Sequence, residues 1–295
     1  MVEIKHNFLG IPDIPLKKAH FVVLPIPFEA TTSCQTGTKE GPTSIIYSSN
    51  YVELYDEELD FEPYTYGIKT LLPVEPDYKS LKGMVSKIEK STLSYVKEQK
   101  VVIGLGGEHT ISLGLVRAYL KYYPDIKVIC LDAHADLRDE YQGTRFSHAC
   151  VMRRISELGC PVFSAGVRSI SKEEMELLNK NSNIRTLFAH EMYGKKWIDI
   201  LNQALPSGTY YLSFDVDFLD PLVLPDTGTP EPGGFFWYDT VEFLRTFIQR
   251  KDIKLIGLDI VELSSSKLFT PSSFIVAKLI YKMIGFLGEK YKSTG

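Results

Sequence analysis

The chain has 295 residues, of which 44% are hydrophobic and 24% are charged, a composition typical of a globular protein with a sizeable core. Its net charge of −4, without any basic run of Lys and Arg, argues against nucleic acid and anionic membrane as the main partner. No Pro/Gly/Ser-rich linker divides the sequence, so we expect a single domain over residues 1–295.

The N-terminus and the cysteines indicate the compartment. The first twenty residues lack the charged head and the long apolar run of a signal peptide, and no apolar stretch is long enough for a bilayer-spanning helix. Four cysteines occur without a C-x-x-C pair, and we expect free thiols in a reducing environment: Cys34, Cys130, Cys150 and Cys160. These features favour a soluble, cytoplasmic protein.

Short apolar runs alternate with helix-length amphipathic segments along the chain. The strand-like runs lie at 20–26, 100–107, 127–134, 161–167, 184–189, 209–217 and 253–261. The helical patterns lie at 81–98, 110–123 and 147–158, after Ser171, between the strand-like runs at 184–189 and 209–217, from about Asp239, and from Pro271 onward. Near-continuous apolar strands that alternate with helices predict an α/β protein with a parallel sheet covered on both faces.

Two of these helices begin with recognisable capping sequences. Ser171 is followed three residues later by Glu174, which is the pattern of a capping box. Thr270 followed by Pro271 is a favourable pair for an N-cap and a first helical position. We therefore expect one helix to begin just after Ser171 and another at Pro271.

Acids and histidines follow four of the predicted strands, at the point where each strand ends. They are Glu108 and His109 after two glycines, Asp132, His134 and Asp136, then Asp215 and Asp217, and finally Asp259 and Glu262. Alternate residues of an extended chain project to the same side, so Asp132, His134 and Asp136 should point together. Because ligands collect at the carboxyl ends of parallel strands, we expect one functional site there.

The chemistry of this set indicates a metal centre. An Asp-x-Asp pair alone is uninformative and a lone His109 could be a turn residue, but together two histidines and four aspartates would carry a charge of −4. Burying that charge without counter-ions is prohibitively costly, and two divalent cations would balance it. Ligands dominated by oxygen, with imidazole, suit Mn²⁺ better than a thiolate-rich zinc site. The residues therefore predict a two-metal hydrolase.

At this point the sequence resembles the arginase/agmatinase (ureohydrolase) family. The stretches that carry the resemblance are GGEHT, DAHADLRD, SFDVDFLDP, TGTPEPGG and LDIVELS, in this order over residues 106–264, with TGTKEGPTSII nearer the N-terminus. GGEHT has Glu where many family members have Asp. The resemblance implies a three-layer α/β/α fold, association into trimers or hexamers, and two Mn²⁺ per subunit.

The resemblance also assigns roles to individual residues. The implied metal ligands are His109, Asp132, His134, Asp136, Asp215 and Asp217. Glu262 matches the carboxylate that binds the guanidinium group, and Thr229 falls in a substrate-binding stretch. His148 matches a proton-shuttle histidine, a task for which imidazole is suited near neutral pH. The alternatives are a helix cap for His148 and a surface ion pair for Glu262.

Departures from the arginase pattern bear on the substrate. The stretch LRDEYQGTRFSH (137–148) and the turn RSIS (168–171) both lack the groups that hold the α-carboxylate and α-amino group of arginine in arginases. We therefore expect agmatine, with urea and putrescine as products. Asp139, Glu140 and Glu231 are candidates for the far ammonium group, while Arg138 or Arg145 would favour a guanidino acid such as guanidinobutyrate.

Other functions remain open on the sequence. An arginase or a guanidinobutyrase would use the same ligands on another guanidino substrate. A two-metal phosphoesterase or aminopeptidase also clusters Asp and His, but Glu262 would repel a phosphate. A one-metal deacetylase needs fewer ligands than this chain offers. A non-catalytic polyamine-binding or scaffold protein is the remaining alternative, although all six ligand positions are filled.

Overall fold

A computed structural model describes residues 7–193, 197–265 and 267–294. Within these residues all strands join one eight-stranded sheet, in the order β2-β1-β3-β8-β7-β4-β5-β6, and every pairing is parallel. The strands are β1 (Phe21–Ile26), β2 (Ile68–Thr70), β3 (Val101–Gly106), β4 (Lys127–Leu131), β5 (Val162–Val167), β6 (Ile184–Phe188), β7 (Gly208–Asp215) and β8 (Ile253–Val261). The expected α/β fold with a parallel central sheet is confirmed.

Helices cover both faces of the sheet, which gives three layers. They are α1 (Gly41–Ser49), α2 (Leu81–Lys97), α3 (Ile111–Leu120), α4 (Val151–Glu157), α5 (Lys172–Lys180), α6 (Ala189–Met192), α7 (Trp197–Ala204), α8 (Trp237–Gln249) and α9 (Pro271–Thr294). Alternate residues of the strands enter two separate apolar clusters, one with α1, α7, α8 and α9 and the other with α2, α3 and α4. This alternation follows from the two-residue period of a strand. It also explains why the strands are apolar throughout.

The predicted elements agree with the structure to within a few residues, and both predicted caps are confirmed. The Ser171 hydroxyl accepts a hydrogen bond from the Glu174 N–H, and the Glu174 carboxylate accepts one from the Ser171 N–H. The Thr270 hydroxyl accepts a hydrogen bond from the Ser273 N–H at the start of α9. Three elements were missed, α1, β2 and α6, because helices of nine and four residues and a three-residue edge strand are too short to show a period.

The sheet order places the candidate residues side by side. The four strands that carry them, β3, β8, β7 and β4, are direct neighbours in the sheet. Since all are parallel, their carboxyl ends share one edge, where His109, Asp132, Asp215 and Glu262 follow them. The expectation that one rim of the sheet collects these residues is confirmed.

The helices were also assessed for their capacity to cross a membrane. Among the described residues, none of the helices combines the length and the apolar character that a transmembrane span requires.

Candidate metal centre and its cavity

The six predicted metal ligands come together in two groups that meet at Asp132. In one group the His109 Nδ1 atom lies 3.3 Å from Asp132, 3.0 Å from Asp136 and 3.4 Å from Asp215, in each case from the Oδ2 atom. In the other group the His134 Nδ1 atom lies 2.8 Å from Asp217 Oδ2 and 3.7 Å from Asp132 Oδ1. The two carboxylate oxygens of Asp132 therefore face different groups.

The state of the His109 ring tests whether these residues fit a cation. Its Nδ1 atom is buried and, within the described part of the chain, has no hydrogen-bond partner of acceptable geometry, although three carboxylates surround it. A nitrogen lone pair aimed between carboxylate oxygens is the arrangement of ligand atoms around a common ion. The residues present fit a metal.

The charge of the cluster supports the same conclusion. Asp132, Asp136, Asp215 and Asp217 are all buried. Burial and the neighbouring carboxylates raise the pKa of Asp132 to about 7, and burial together with Asp217 raises the pKa of Asp215 well above its ordinary range. Burial acts against ionisation at Asp217 too, but His134 lowers the pKa of that carboxyl to about 2. Cations would let all four carboxylates ionise together.

The far side of the His109 ring is held by a buried hydrogen-bond chain. The His109 Nε2 atom lies 2.9 Å from the Ser213 hydroxyl, which donates to Asp259 Oδ1 at 2.8 Å, and Tyr211 donates to Asp259 Oδ2 at 2.7 Å. Ser213 and Asp259 are partners in the register of β7 and β8. Because the Ser213 proton goes to Asp259, the serine accepts from Nε2–H, which leaves the Nδ1 lone pair for a metal.

Two site residues occupy unusual backbone conformations. Asp136 has a φ of 53° and Glu262 a φ of 65°, in the left-handed region that non-glycine residues seldom adopt. Such strain persists only where the surrounding structure enforces it, and it concentrates at functional sites. Here it turns the chain sharply after β4 and β8, so that both carboxylates face the cluster.

A cavity of about 320 Å³ opens over this cluster. Four predicted metal ligands line it, namely His134, Asp136, Asp215 and Asp217. The residues predicted to bind substrate or transfer a proton also line it, namely His148, Thr229 and Glu262. His109 and Asp132, at 1% and 0% exposure, lie beneath its floor. The cavity is thus large enough for a small molecule whose reacting end rests on the metal ligands.

Glu262 is placed to bind a cationic group. Its Oε1 atom accepts a hydrogen bond from the His109 N–H at 2.6 Å, and no hydrogen bond among the described residues uses its Oε2 atom. Burial, and then the nearby Glu108, raise the pKa of Glu262 well above its ordinary range. The side chain makes no ion pair among these residues, so the alternative of a surface ion pair does not fit.

His148 faces the cavity from the short 3-10 turn that precedes α4. Its ring contacts three hydroxyls: Nδ1 lies 3.2 Å from Thr31 and 3.3 Å from Ser147, and Nε2 lies 2.9 Å from Ser33. Among the described residues, the His148 ring makes no hydrogen bond to a backbone N–H of the following turn, so a helix-cap role does not fit. Burial lowers the pKa of His148, which favours a neutral imidazole near neutral pH.

Of the three acidic residues predicted as candidates for the far ammonium group of the substrate, one lines the cavity and two do not. Asp139 pairs with Arg145, Arg153 and Arg154 at 3.0, 3.3 and 2.8 Å, and neither it nor Glu140 lines the cavity. Glu231 does line it, with its Oε1 atom 3.8 Å from His134 Nε2.

The two arginines predicted as candidates for a substrate carboxylate also differ in position, since only one of them lines the cavity. Arg145 pairs with Asp139 and Glu157 away from the cavity, whereas Arg138 lines the cavity wall and lies over the Tyr141 ring. Among the described residues, Glu231 is the remaining acidic candidate for an ammonium and Arg138 the remaining basic one for a carboxylate.

Sequence reasoning missed three contributors to the site. Ser213 stands two residues before Asp215, so strand alternation could have placed both on the same side. The Cys130 Sγ atom lies 3.6 Å from Asp132 Oδ2 and 4.0 Å from His109 Nε2, although we had assigned this thiol no role beyond packing. Thr31 lies 117 positions from His148 in sequence, and no local signal connects them.

Sequence comparison identifies similar proteins of known family. Residues 19–285 match the arginase family. The N(1)-aminopropylagmatine ureohydrolase of Synechocystis sp. is 38% identical over 281 residues, which is 93% of this chain and 91% of that protein. The agmatinase of Pyrococcus horikoshii is 35% identical over 289 residues, covering 94% and 95% of the two chains.

Structural comparison agrees with the sequence comparison. The crystal structure of the agmatine ureohydrolase of Thermoplasma volcanium superimposes with a TM-score of 0.84 at 30% sequence identity. The match covers 94% of this chain and 92% of the other.

We expect Ser213→Ala to weaken Mn²⁺ binding about 10- to 100-fold, because the His109 ring loses the partner that fixes its orientation and tautomer. Isothermal titration with Mn²⁺ measures this change. The matched control is Ser164→Ala on β5, which is separated from β7 by β4. The buried hydroxyl of Ser164 lacks any hydrogen-bond partner in the described part of the chain. Equal Mn²⁺ affinity in the two variants would contradict a role for Ser213.

We expect the metal-free protein to lose stability as the pH rises from 5 to 8. Over this range the folded state retains protons that the unfolded chain releases, since the pKa of Asp132 rises from 3.8 to about 7 and that of His134 from 6.5 to about 10. Burial is the largest influence on both groups; it raises the pKa of Asp132 but opposes the rise at His134, which is caused by Asp217.

Mn²⁺ at 100 times its Kd should add about 2.7 kcal/mol of stability, or ~5–10 °C in Tm, with tighter binding at pH 8 than at pH 5.5. Thermal unfolding with Mn²⁺ and with EDTA, across this pH range, measures both effects. A metal-free Tm that climbs from pH 5 to pH 8 would contradict the raised pKa values of Asp132 and His134, and a Tm that does not respond to Mn²⁺ would show that the cluster is not a metal centre.

Proposed function

The chain belongs to the arginase family, and from this premise we propose that it hydrolyses the guanidino group of agmatine to give urea and putrescine. The observation that carries the proposal is the position of Glu262. This buried carboxylate borders the cavity over four further carboxylates, and its Oε2 atom is left without a hydrogen bond in the described structure. A planar guanidinium group can form a charge-assisted pair with such a carboxylate, which would hold its carbon over the cluster.

The reaction adds water to the guanidinium carbon and then breaks the bond from that carbon to the alkylated nitrogen. Two divalent cations at the cluster would acidify water and stabilise developing charge. Glu262 orients the planar group, and Thr229 lines the same part of the cavity. His148 gives a proton to the departing nitrogen, so the products are urea and a primary ammonium.

We propose two Mn²⁺ as the cofactor. The ligand set offers four carboxylates and two imidazoles, a hard, oxygen-dominated set that suits Mn²⁺. His109, Asp136 and Asp215 would hold one ion, and His134 with Asp217 the other. Asp132 would contribute to holding both ions, because its two oxygens face the two groups.

Agmatine is favoured over arginine by the cavity wall. In the turn RSIS, Arg168 donates its hydrogen bonds to backbone carbonyls, including those of Asp217 and Glu231, and Ser171 caps helix α5. Glu174 is committed to the Ser171 and Leu137 N–H groups. No acidic group of this turn is free, within the described residues, to receive an α-amino group.

A second candidate substrate is N(1)-aminopropylagmatine, favoured by the 38% identity to the Synechocystis protein of that name. This molecule has the same guanidino end as agmatine with a longer tail that carries a second amine. Both substrates therefore require the same chemistry at the cluster and differ at the far end of the cavity, near Glu231. The trimer or hexamer, the small guanidino substrate as the main partner and a cytoplasmic location stay proposals.

We expect Mn²⁺-loaded protein to release urea from agmatine or N(1)-aminopropylagmatine with a kcat/KM at least ~100-fold above that for L-arginine, because the described residues of the cavity offer no clamp for an α-substituent. Urea release from these substrates and from 4-guanidinobutyrate measures the preference. His148→Ala should lower kcat about 10²- to 10⁴-fold while Mn²⁺ affinity is retained. A preference for arginine would refute the proposed substrate class, and no urea from any of the four would refute guanidino hydrolysis.

We expect Glu231→Gln to lower kcat/KM about 10-fold for the two amine substrates, since a carboxylate that faces an ammonium loses its charge. The effect on 4-guanidinobutyrate, whose tail is anionic, should be small or favourable. Glu140→Gln, on an acid that does not line the cavity, is the control. An equal loss on every substrate, together with weaker Mn²⁺ binding, would instead assign Glu231 to the support of His134.

A further inference from the structure

A second buried carboxylate, outside the metal ligands, is linked to His148 through a threonine. Glu108 is fully buried, and its Oε1 atom accepts hydrogen bonds from the Thr31 hydroxyl at 2.8 Å and the Thr110 hydroxyl at 2.7 Å. Its Oε2 atom accepts from the N–H groups of Ala30 and Thr31, each at 2.6 Å. The Thr31 Oγ1 atom in turn lies 3.2 Å from His148 Nδ1.

Counting protons fixes the direction of this chain of contacts. The Thr31 hydroxyl carries one proton, which it donates to Glu108, so toward His148 it can only accept. It accepts from the His148 N–H at 3.1 Å, and its remaining lone pair faces the ring. The Thr31 contact therefore requires a hydrogen on His148 Nδ1, the nitrogen that also lies 3.3 Å from the Ser147 hydroxyl.

The other ring nitrogen points toward solvent through a pair of hydroxyls. The Nε2 atom lies 2.9 Å from the Ser33 hydroxyl, which donates to the Tyr141 hydroxyl at 3.2 Å, so Ser33 can accept from Nε2–H when His148 is protonated. The Tyr141 ring packs edge-on against His148. All three residues line the cavity. A proton can thus enter or leave at Nε2 while Nδ1 remains held from behind.

We propose that Thr31, polarised by Glu108, is a positioning residue that holds His148 in the Nδ1–H tautomer and stabilises its protonated form during turnover. The inference rests on the proposed function, in which His148 delivers a proton to the departing nitrogen. Thr31 touches neither the cluster nor the predicted substrate position, so it acts through His148.

The charged groups around His148 come from several segments. Glu108 in the β3–α3 turn and Asp136 after β4 favour its protonated form, whereas burial, His109 and His134 disfavour it. The Thr31 hydroxyl is the contact that a single conservative substitution can remove without changing any of these charges. The Ala30 and Thr31 N–H bonds to Glu108 stay in place when only the hydroxyl is replaced.

The test compares Thr31→Val, Thr31→Ser, His148→Ala and the double variant Thr31→Val/His148→Ala in the Mn²⁺-loaded full chain. Valine keeps the branched shape without the acceptor, and serine keeps the acceptor. We expect Thr31→Val to lower kcat about 10- to 100-fold with KM and Mn²⁺ affinity within about 2-fold, and Thr31→Ser to recover most of the loss. The double variant should be no slower than His148→Ala, because the two residues act as a unit.

The pH dependence of kcat distinguishes a positioning role of Thr31 from a purely structural one, because loss of a purely structural contact would not change it. Without the Thr31 acceptor, the protonated imidazole of His148 is less stable and its pKa falls. The fall of kcat at high pH, which marks the loss of the proton from His148, should therefore shift to lower pH by about 0.5–1 unit. The reaction of His148 with diethyl pyrocarbonate, followed by peptide mass spectrometry across pH, should show the same shift for Thr31→Val and not for Thr31→Ser.

The two assays also separate the two hypotheses. If wild-type protein releases no urea from any guanidino substrate, the proposed function fails. The pH midpoint of His148 modification by diethyl pyrocarbonate still tests whether Thr31 stabilises protonated His148. An unchanged midpoint in Thr31→Val would overturn the positioning role. So would equal impairment of the valine and serine variants, or a double variant much slower than His148→Ala.

Discussion

Four carboxylates buried in one small volume are the constraint on which the rest of this structure depends. Asp132, Asp136, Asp215 and Asp217 repel one another, and burial removes the water that would screen them. Two divalent cations would convert this repulsion into attraction. The protein therefore has to hold the carboxylates close enough to share ions yet prevent them from moving apart. A sheet whose strands are fixed by hydrogen bonds and packed on both faces meets this requirement.

The register of that sheet also positions the hydrogen-bond chain that holds the His109 ring behind the cluster. Cys130, Ser213 and Asp259 form one row across β4, β7 and β8, and the row places a serine hydroxyl between a histidine nitrogen and a buried carboxylate. Burial raises the pKa of Asp259, while hydrogen bonds from Tyr211 and Ser213 oppose this rise. The arrangement fixes the tautomer of His109 without adding another charge to the metal site.

The loops at the carboxyl edge of the sheet form the cavity wall above the cluster, and different parts of the wall face different parts of a substrate. In the proposed reaction Glu231 would meet the variable part of a substrate, while Glu262, Thr229 and His148 would lie at the guanidino group that all candidate substrates share. This division lets the tail of the substrate change without disturbing the reaction. The division follows the fold, since the metal-ligand candidates and Glu262 lie at or just after strand ends, whereas Glu231 lies on a loop.

The sequence by itself determined the fold class, most strand and helix positions and the presence of acids and histidines at four strand ends, because apolar periodicity and residue chemistry are local properties of the chain. It also identified Glu262 and His148, through motifs that resemble a family. Only the tertiary structure decided that Asp132 stands between the two ligand groups and that Thr31 reaches His148. Such contacts depend on strand order, on register and on loops that meet across more than a hundred residues. No local pattern encodes them, since they exist only once the sheet has formed.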